Sequence, residues 1–213
     1  MTAAIGWLAL SYLIGAFPTG WLAARLFRGI DLREHGSRNL GATNVYRVLG
    51  WKYAIPVGVV DILKGATPVW LFGPRAPDIP LFPLLCGLAA VIGHVFSLFV
   101  GFKGGKGVAT SAGVVLALAP WALLAVTVVW ALLVRLTGYV SLASIVSAAL
   151  FPLAAWLLHD ARGAVLAADI GLAAFIVWKH RSNLRRLMRG TENRFGKGRE
   201  RAGEGGSGRE AAR

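Results

Sequence analysis

Six apolar stretches, at about 3–24, 53–73, 79–100, 108–134, 139–158 and 163–178, occupy most of this 213-residue chain. A helix needs about 20 apolar residues to cross roughly 30 Å of hydrocarbon, and most of these runs are close to that length. Charged residues are 15% of the chain and hydrophobic ones 56%, whereas soluble domains carry about 25% charge. Too few charges remain to cover a water-soluble globule. The apolar content also excludes disorder over most of the length. A single cysteine, Cys86, excludes a disulfide-stapled secreted domain. The expected class is an all-α integral membrane protein.

Charge distribution orients the helices. The net charge of +13 would suggest nucleic acid if read alone, but it is concentrated in two blocks that flank apolar runs. Residues 179–213 hold 11 Lys/Arg and 4 Glu, and residues 25–52 hold 6 basic and 2 acidic side chains. Basic loops stay on the cytoplasmic side, so both blocks are expected there and no nucleic-acid partner is. The first stretch has no basic residue before it and Arg25 and Arg28 after it, the reverse of a signal peptide. It reads as an uncleaved helix with its N-terminus outside. Trp21, Trp51, Trp70 and Trp178 lie near stretch ends, where amphipathic rings favour the headgroup level.

Parity fixes the helix number. With 25–52 inside, the second stretch leaves and the third returns, which places 101–107 inside. The tail from Lys179 also belongs inside, yet three stretches lie between. The misfit disappears if 108–134 turns near Pro120 into two pieces of about 12 and 14 residues, short or tilted. The expectation is seven membrane-embedded helices, N-terminus outside, C-terminus cytoplasmic. Residues 1–195 form one membrane domain, and 196–213, small, charged and aperiodic, reads as a disordered cytoplasmic tail.

Three polar clusters interrupt the apolar pattern, all on the cytoplasmic side by this parity. The first runs from Gly36 through Ser37, Arg38, Asn39, Gly41, Thr43 and Asn44 to Arg47. It joins hydroxyls and amides to a guanidinium, although a Gly/Asn turn capped by Thr43 or Asn44 would look the same. The second is Gly93–Ser97 followed by Gly101-Phe102-Lys103-Gly104-Gly105-Lys106-Gly107. Bare glycine backbone lets N–H groups approach an anion, and two lysines add charge. Its spacing is not that of a Walker A loop, and Gly107 stands where Ser or Thr is required. It reads as a phosphate cradle that serves no ATPase, or as a basic juxtamembrane turn. The third is Lys179–Leu187 with Gly190-Thr191-Glu192, in which His180 and Asn183 share a helix face. Arg185, Arg186 and Arg189 suit lipid headgroups. Asp61 and Lys64, at i and i+3 inside an apolar run, read as a structural intramembrane ion pair, or as part of a proton or ion pathway. His94 is either a satisfied core histidine or a support for the glycine loop. No spacing suggests a metal site, a nucleophile elbow or paired carboxylates.

Ser37–Asn44 with Arg47, GFKGGKGVAT, YVSLAS (Tyr139–Ser144) and WKHRSNLRRLMRGTE together resemble one family, the bacterial acyl-phosphate:glycerol-3-phosphate acyltransferases known as PlsY. The resemblance covers about Gly15 to Phe195, with motifs in the same order and spacing; Arg38 stands where many members have glycine. It implies transfer of a fatty acyl group from acyl phosphate to the 1-hydroxyl of sn-glycerol 3-phosphate, giving lysophosphatidic acid and inorganic phosphate. It also implies no metal or cofactor, a bacterial inner-membrane location, and a soluble phosphate acyltransferase that supplies the donor. By resemblance the GGKG loop, with Lys103, Gly104, Gly105 and Lys106, binds glycerol 3-phosphate. Ser37, Arg47, Lys106, Ser141, His180 and Asn183 line the polar site, and Glu192 serves structural integrity. The residues assigned to catalysis are Ser37, Arg47, His180 and Asn183; those assigned to substrate binding are Asn39, Thr43, Asn44, Lys103, Gly104, Gly105, Lys106 and Ser141.

Two phosphate-bearing substrates carry together about −3 to −4 charges, and Arg47, Lys103, Lys106 and His180 offer three or four positive ones. The competing reading is a transporter of a phosphorylated metabolite, which explains the helices and the Asp61–Lys64 pair. Transport sites sit near the midplane between repeated halves. Here the clusters share one side and no repeat is evident.

Overall fold

The computed structural model describes residues 2–195; the expected tail, 196–213, lies outside them. Helices α1 (Thr2–Ala16), α2 (Thr19–Arg28), α3 (Ala42–Leu49), α4 (Trp51–Phe72), α5 (Phe82–Val95), α6 (Val108–Leu118), α7 (Pro120–Thr137), α8 (Val140–His159), α9 (Gly163–Lys179) and α10 (Arg181–Met188) account for most of them. Among the described residues, five helical segments are long and apolar enough to cross a membrane: Thr2–Arg28, Trp51–Arg75, Phe82–Val100, Pro120–Thr137 and Val140–His159. The sixth, α9, bends by 56° into α10.

The apolar run 108–134 breaks where parity requires. Pro120 has no N–H to give to the preceding turn, and the residue before a proline is pushed out of the helical region; Ala119 adopts φ −146° and ψ 64°. The pieces differ in length from expectation. Helix α6 has 11 residues, about 16 Å, and cannot cross alone, whereas α7 has 18 residues and continues through Arg135 to Thr137. The chain nevertheless turns back. The Ala122 N–H donates to His159 Nε2 at the end of α8, and the Gly138 carbonyl, just beyond α7, accepts the Phe195 N–H at the other end of the bundle. The first stretch is also not one continuous helix, because Pro18 separates α1 from α2.

The bundle is apolar outside and polar within. On α4 the side chains of Ile55, Val59, Val60 and Leu63 are exposed, while Asp61, Lys64 and Gly65 are buried. Lipid gives helices no hydrophobic reason to associate, so close van der Waals contact must hold them. Glycine makes that contact possible between α4 and α6. A Cβ on Gly65 would overlap the Thr110 carbonyl, and one on Gly113 the Ile62 carbonyl. The expected ion pair is present at 2.8 Å, with Lys64 5% and Asp61 1% exposed. Lys64 also donates to the Phe17 carbonyl and Thr19 Oγ1 to Asp61 Oδ1, so the pair satisfies the backbone freed at the α1–α2 break. Trp7 stacks on Phe72 beneath Arg75, which puts the start of α1 at the end opposite the three polar clusters.

Candidate active site

The three polar clusters converge at one end of the bundle around a cavity of about 440 Å³. Ser37, Asn39, Thr43, Asn44, Arg47, Lys106, Ser141, His180 and Asn183 all stand in its wall, together with Glu192.

The first cluster is shaped by Asn44, which is 1% exposed. Its Oδ1 accepts the Ser37 N–H at 2.7 Å, and its Nδ2 donates to the carbonyls of Leu32, His35 and Asn39 at 3.4, 3.0 and 2.9 Å. These bonds hold Ser37 at the cavity and leave the Asn44 amide occupied inside the loop, so Asn44 acts here as the staple of the loop. Arg38 has φ 61°, left-handed backbone of the kind that glycine adopts most readily. Arg47, on α3, is half-buried, and its Nε has no hydrogen-bond partner among the described residues. Burial lowers the guanidinium pKa and nearby Glu192 opposes that shift.

The glycine loop uses its glycines for packing. The Gly104 and Gly105 N–H groups donate to the Val95 and His94 carbonyls, each at 3.1 Å. A Cβ on Gly105 would strike the His94 imidazole. Those two N–H groups are therefore unavailable to a phosphate, and Gly104 and Gly105 lie outside the main cavity wall, as does the exposed Lys103. What the packing achieves is the placement of Lys106, which enters the cavity and donates to Asn183 Oδ1. Burial brings its ammonium down to about 8 against the pull of Glu192, with Arg186, Arg47 and Lys179 adding to the fall. Immediately beyond, Gly107 caps α6, and Gly107, Val108 and Ala109 line the cavity. The first-turn N–H groups of a helix have no partner within it, so α6 presents the anion-binding feature that the glycines themselves do not. The sequence reading missed this helix start because the glycines drew the same inference one step earlier in the chain.

His180 sits in the bend between α9 and α10 and is 3% exposed. Its Nδ1 lies 2.8 Å from the Ile176 carbonyl, which can only accept, so Nδ1 carries the hydrogen and Nε2 is the acceptor. Glu192 then ties the elements together. Its Oε1 accepts from Ser141 Oγ at 2.9 Å and Asn183 Nδ2 at 2.7 Å, and its Oε2 accepts from Arg186 Nε at 2.7 Å. Arg186, expected at lipid headgroups, is thus an internal partner, because Gly190-Thr191-Glu192 folds back over α10. The segment continues across the mouth, where Arg47 reaches the Asn193 carbonyl and Phe195 stacks on Tyr46.

Inward from this polar mouth the walls become apolar. Ser141, Ser144, Ala148 and Phe151 follow one face of α8, and Ile176 and Ala173 one face of α9 just below His180. Ser141 to Phe151 spans about 15 Å of helix. Ser144 and Ser147 turn their hydroxyls to the Val140 and Val126 carbonyls, so this arm offers hydrocarbon to an occupant. Cationic groups at one end and an apolar arm at the other suit an amphiphile with an anionic head.

Comparison with known proteins agrees with this geometry. The family profile described as Glycerol-3-phosphate acyltransferase matches residues 5–190. The glycerol-3-phosphate acyltransferase of Trichlorobacter lovleyi is 47% identical over 92% of this chain and 99% of its own. That of Chlorobaculum parvum is 43% identical over 90% and 96%. Among solved structures, PlsY, an integral membrane glycerol 3-phosphate acyltransferase, superposes with a TM-score of 0.84 in its glycerol 3-phosphate form, at 40% identity over 91% of this chain and 96% of that one. Its lysophosphatidic acid form gives a TM-score of 0.81 at 38% identity. The chain belongs to the glycerol-3-phosphate acyltransferase family and is an integral membrane acyltransferase.

Proposed function

We propose that this cavity transfers a fatty acyl group from acyl phosphate to the 1-hydroxyl of sn-glycerol 3-phosphate without a metal ion. The observation that carries the proposal is the continuity of the cavity, from Arg47, Lys106 and the start of α6 at its mouth to Phe151 and Ala173 in its arm. Acyl phosphate has the matching shape, a charged head directly on a long hydrocarbon. Its two substrates bring about −3 to −4 charges. Arg47 and Lys106 supply two positive charges and the α6 N-terminus about half of one more. Glu192 with Arg186, and Asp61 with Lys64, cancel within the protein. About −0.5 to −1.5 charges remain, and the transfer does not change that total because the proton only moves from one substrate to the other.

The glycerol 1-hydroxyl attacks the acyl carbonyl carbon, a C–O ester bond forms and the C–O bond to phosphate breaks. The hydroxyl proton passes to the departing phosphate, which leaves as hydrogen phosphate. His180 Nε2, an acceptor in the cavity wall, is the alternative destination for that proton. Arg47, Lys106 and the α6 N–H groups face the charge that develops on the leaving phosphate. The mixed anhydride already has a good leaving group, so positioning suffices and no covalent enzyme intermediate is needed. By the positive-inside rule the mouth faces the cytoplasm of a bacterial inner membrane, with the N-terminus outside. A soluble phosphate acyltransferase would deliver the donor there.

The test is product formation from radiolabelled glycerol 3-phosphate with palmitoyl phosphate or palmitoyl-CoA, each with and without EDTA. Product from palmitoyl phosphate alone, unaffected by EDTA, is expected. Product from palmitoyl-CoA alone would overturn the donor, and loss with EDTA would overturn the metal-free mechanism.

A further inference from the structure

One buried carboxylate oxygen in the cavity has no role in the chemistry above. Asp61 is 1% exposed, and its Oδ1 is held by Lys64 and Thr19. Its Oδ2 has no hydrogen-bond partner among the described residues. An ionised carboxylate can only accept, and a buried acceptor left unpaired is costly, so a donor is called for. Direction narrows the choice. A second void of about 10 Å³ lies between Lys64, His94 and Ser97, but Asp61 is not in its wall. Asp61 lines the main cavity instead, so a donor can reach it from there. Ser111 lines it too, from α6, the helix packed against α4 at Gly65 and Gly113, and its buried Oγ is also unpartnered. An acceptor-only oxygen and a hydroxyl in neighbouring walls complement a single alcohol, which donates to one and accepts from the other.

Resting on the reading of this cavity as the active site, we propose that Asp61 Oδ2 and Ser111 Oγ bind the 2-hydroxyl of glycerol 3-phosphate and so select the 1-hydroxyl for acylation. Of the two substrates only the acceptor carries alcohol groups. Asp61 suits the hydroxyl that does not react. With Oδ1 already bonded to Lys64 and Thr19, the carboxylate offers Oδ2 as an acceptor for an O–H. A fixed carboxylate beside the reacting oxygen would instead oppose the charge gathering on the departing phosphate. With the 2-hydroxyl engaged, the primary hydroxyl remains free to meet His180 and the acyl carbon.

The test compares sn-glycerol 3-phosphate with 3-hydroxypropyl phosphate, which keeps the phosphate and the primary alcohol but lacks the 2-hydroxyl. Palmitoyl phosphate is the donor and the full chain is used in lipid. Wild type is expected to favour glycerol 3-phosphate by about 10–100-fold in kcat/KM, the range for a hydrogen bond to a charged group. Asp61→Ala combined with Lys64→Met removes both buried charges together, and the preference is expected to fall to within about threefold, mostly through lost activity on glycerol 3-phosphate. Ser111→Ala, a smaller change, keeps the test available if the double variant does not fold, and it is expected to reduce the preference in the same direction. A merely structural role would lower both acceptors by the same factor, and that result would overturn the assignment. An active wild type with no preference would overturn it as well. A folded wild type that acylates neither acceptor would contradict the acyltransferase reading itself.

Discussion

Lys106→Met is expected to lower kcat/KM for glycerol 3-phosphate by about 10²–10³-fold, the usual consequence of removing one positioned donor from a charged transition state. The ammonium is one of two whole positive charges in the cavity wall and bonds within the protein to Asn183 Oδ1. The loss should come without unfolding, since the carbonyl oxygen it leaves behind lines the cavity and can be hydrated. Lys103→Met removes the same charge from an exposed position outside that wall. Only long-range attraction is lost there, and less than about a tenfold decrease is expected. The pH profile carries the same signature. With the Lys106 pKa brought down to about 8, the fraction of cationic Lys106 falls as pH rises through that value. Because kcat/KM reports the free enzyme, it should decline above about pH 8 in wild type. Equal effects of the two lysine variants, or a flat alkaline limb, would contradict this placement of Lys106.

Glu192→Ala is expected to remove activity by a different route, through the structure. The carboxylate is buried and accepts from Ser141, Asn183 and Arg186, which joins α8, α10 and the segment after it. Losing the carboxylate leaves two buried donors unpaired and removes the partner of Arg186, itself 35% exposed, which costs about 2–4 kcal/mol. Glu192→Gln retains an oxygen and its shape, so a smaller loss is expected, about 1–3 kcal/mol. Thermal unfolding in detergent, followed by tryptophan fluorescence, ranks the three proteins as wild type, then Gln, then Ala. An Ala variant with wild-type thermal stability but no activity would show instead that Glu192 acts on the substrate.

These two residues also mark how far the sequence could be read. Lys106 was visible because a lysine among glycines is locally distinctive, and the Asp61–Lys64 pair because i, i+3 charges in an apolar run must meet. The turn at Ala119–Pro120 followed from charge parity, a global constraint that needs no structure. Other features were hidden for identifiable reasons. The glycines at 104 and 105 have the same signature whether backbone approaches a phosphate or a neighbouring carbonyl, and here the neighbours are His94 and Val95. Asn44 looks like a ligand in sequence because nothing local shows that its amide is consumed by Leu32, His35 and Asn39. The break at Pro18 lies within continuous apolar sequence, and its compensation by Lys64 comes from 47 residues away. The partners of Glu192 include Ser141, 51 residues distant. No spacing rule reaches that far.

The central claim is that one cavity holds both the phosphates and the acyl chain. A palmitoyl phosphate analogue carrying a diazirine at the chain terminus tests it most directly, with crosslinked residues mapped after irradiation in lipid. Labelling of arm residues such as Val126, Phe151 and Leu172, suppressed by excess lysophosphatidic acid, is the result expected from the cavity. Labelling confined to lipid-facing positions such as Leu10, Ile55 and Val59, and unchanged by the competitor, would contradict it.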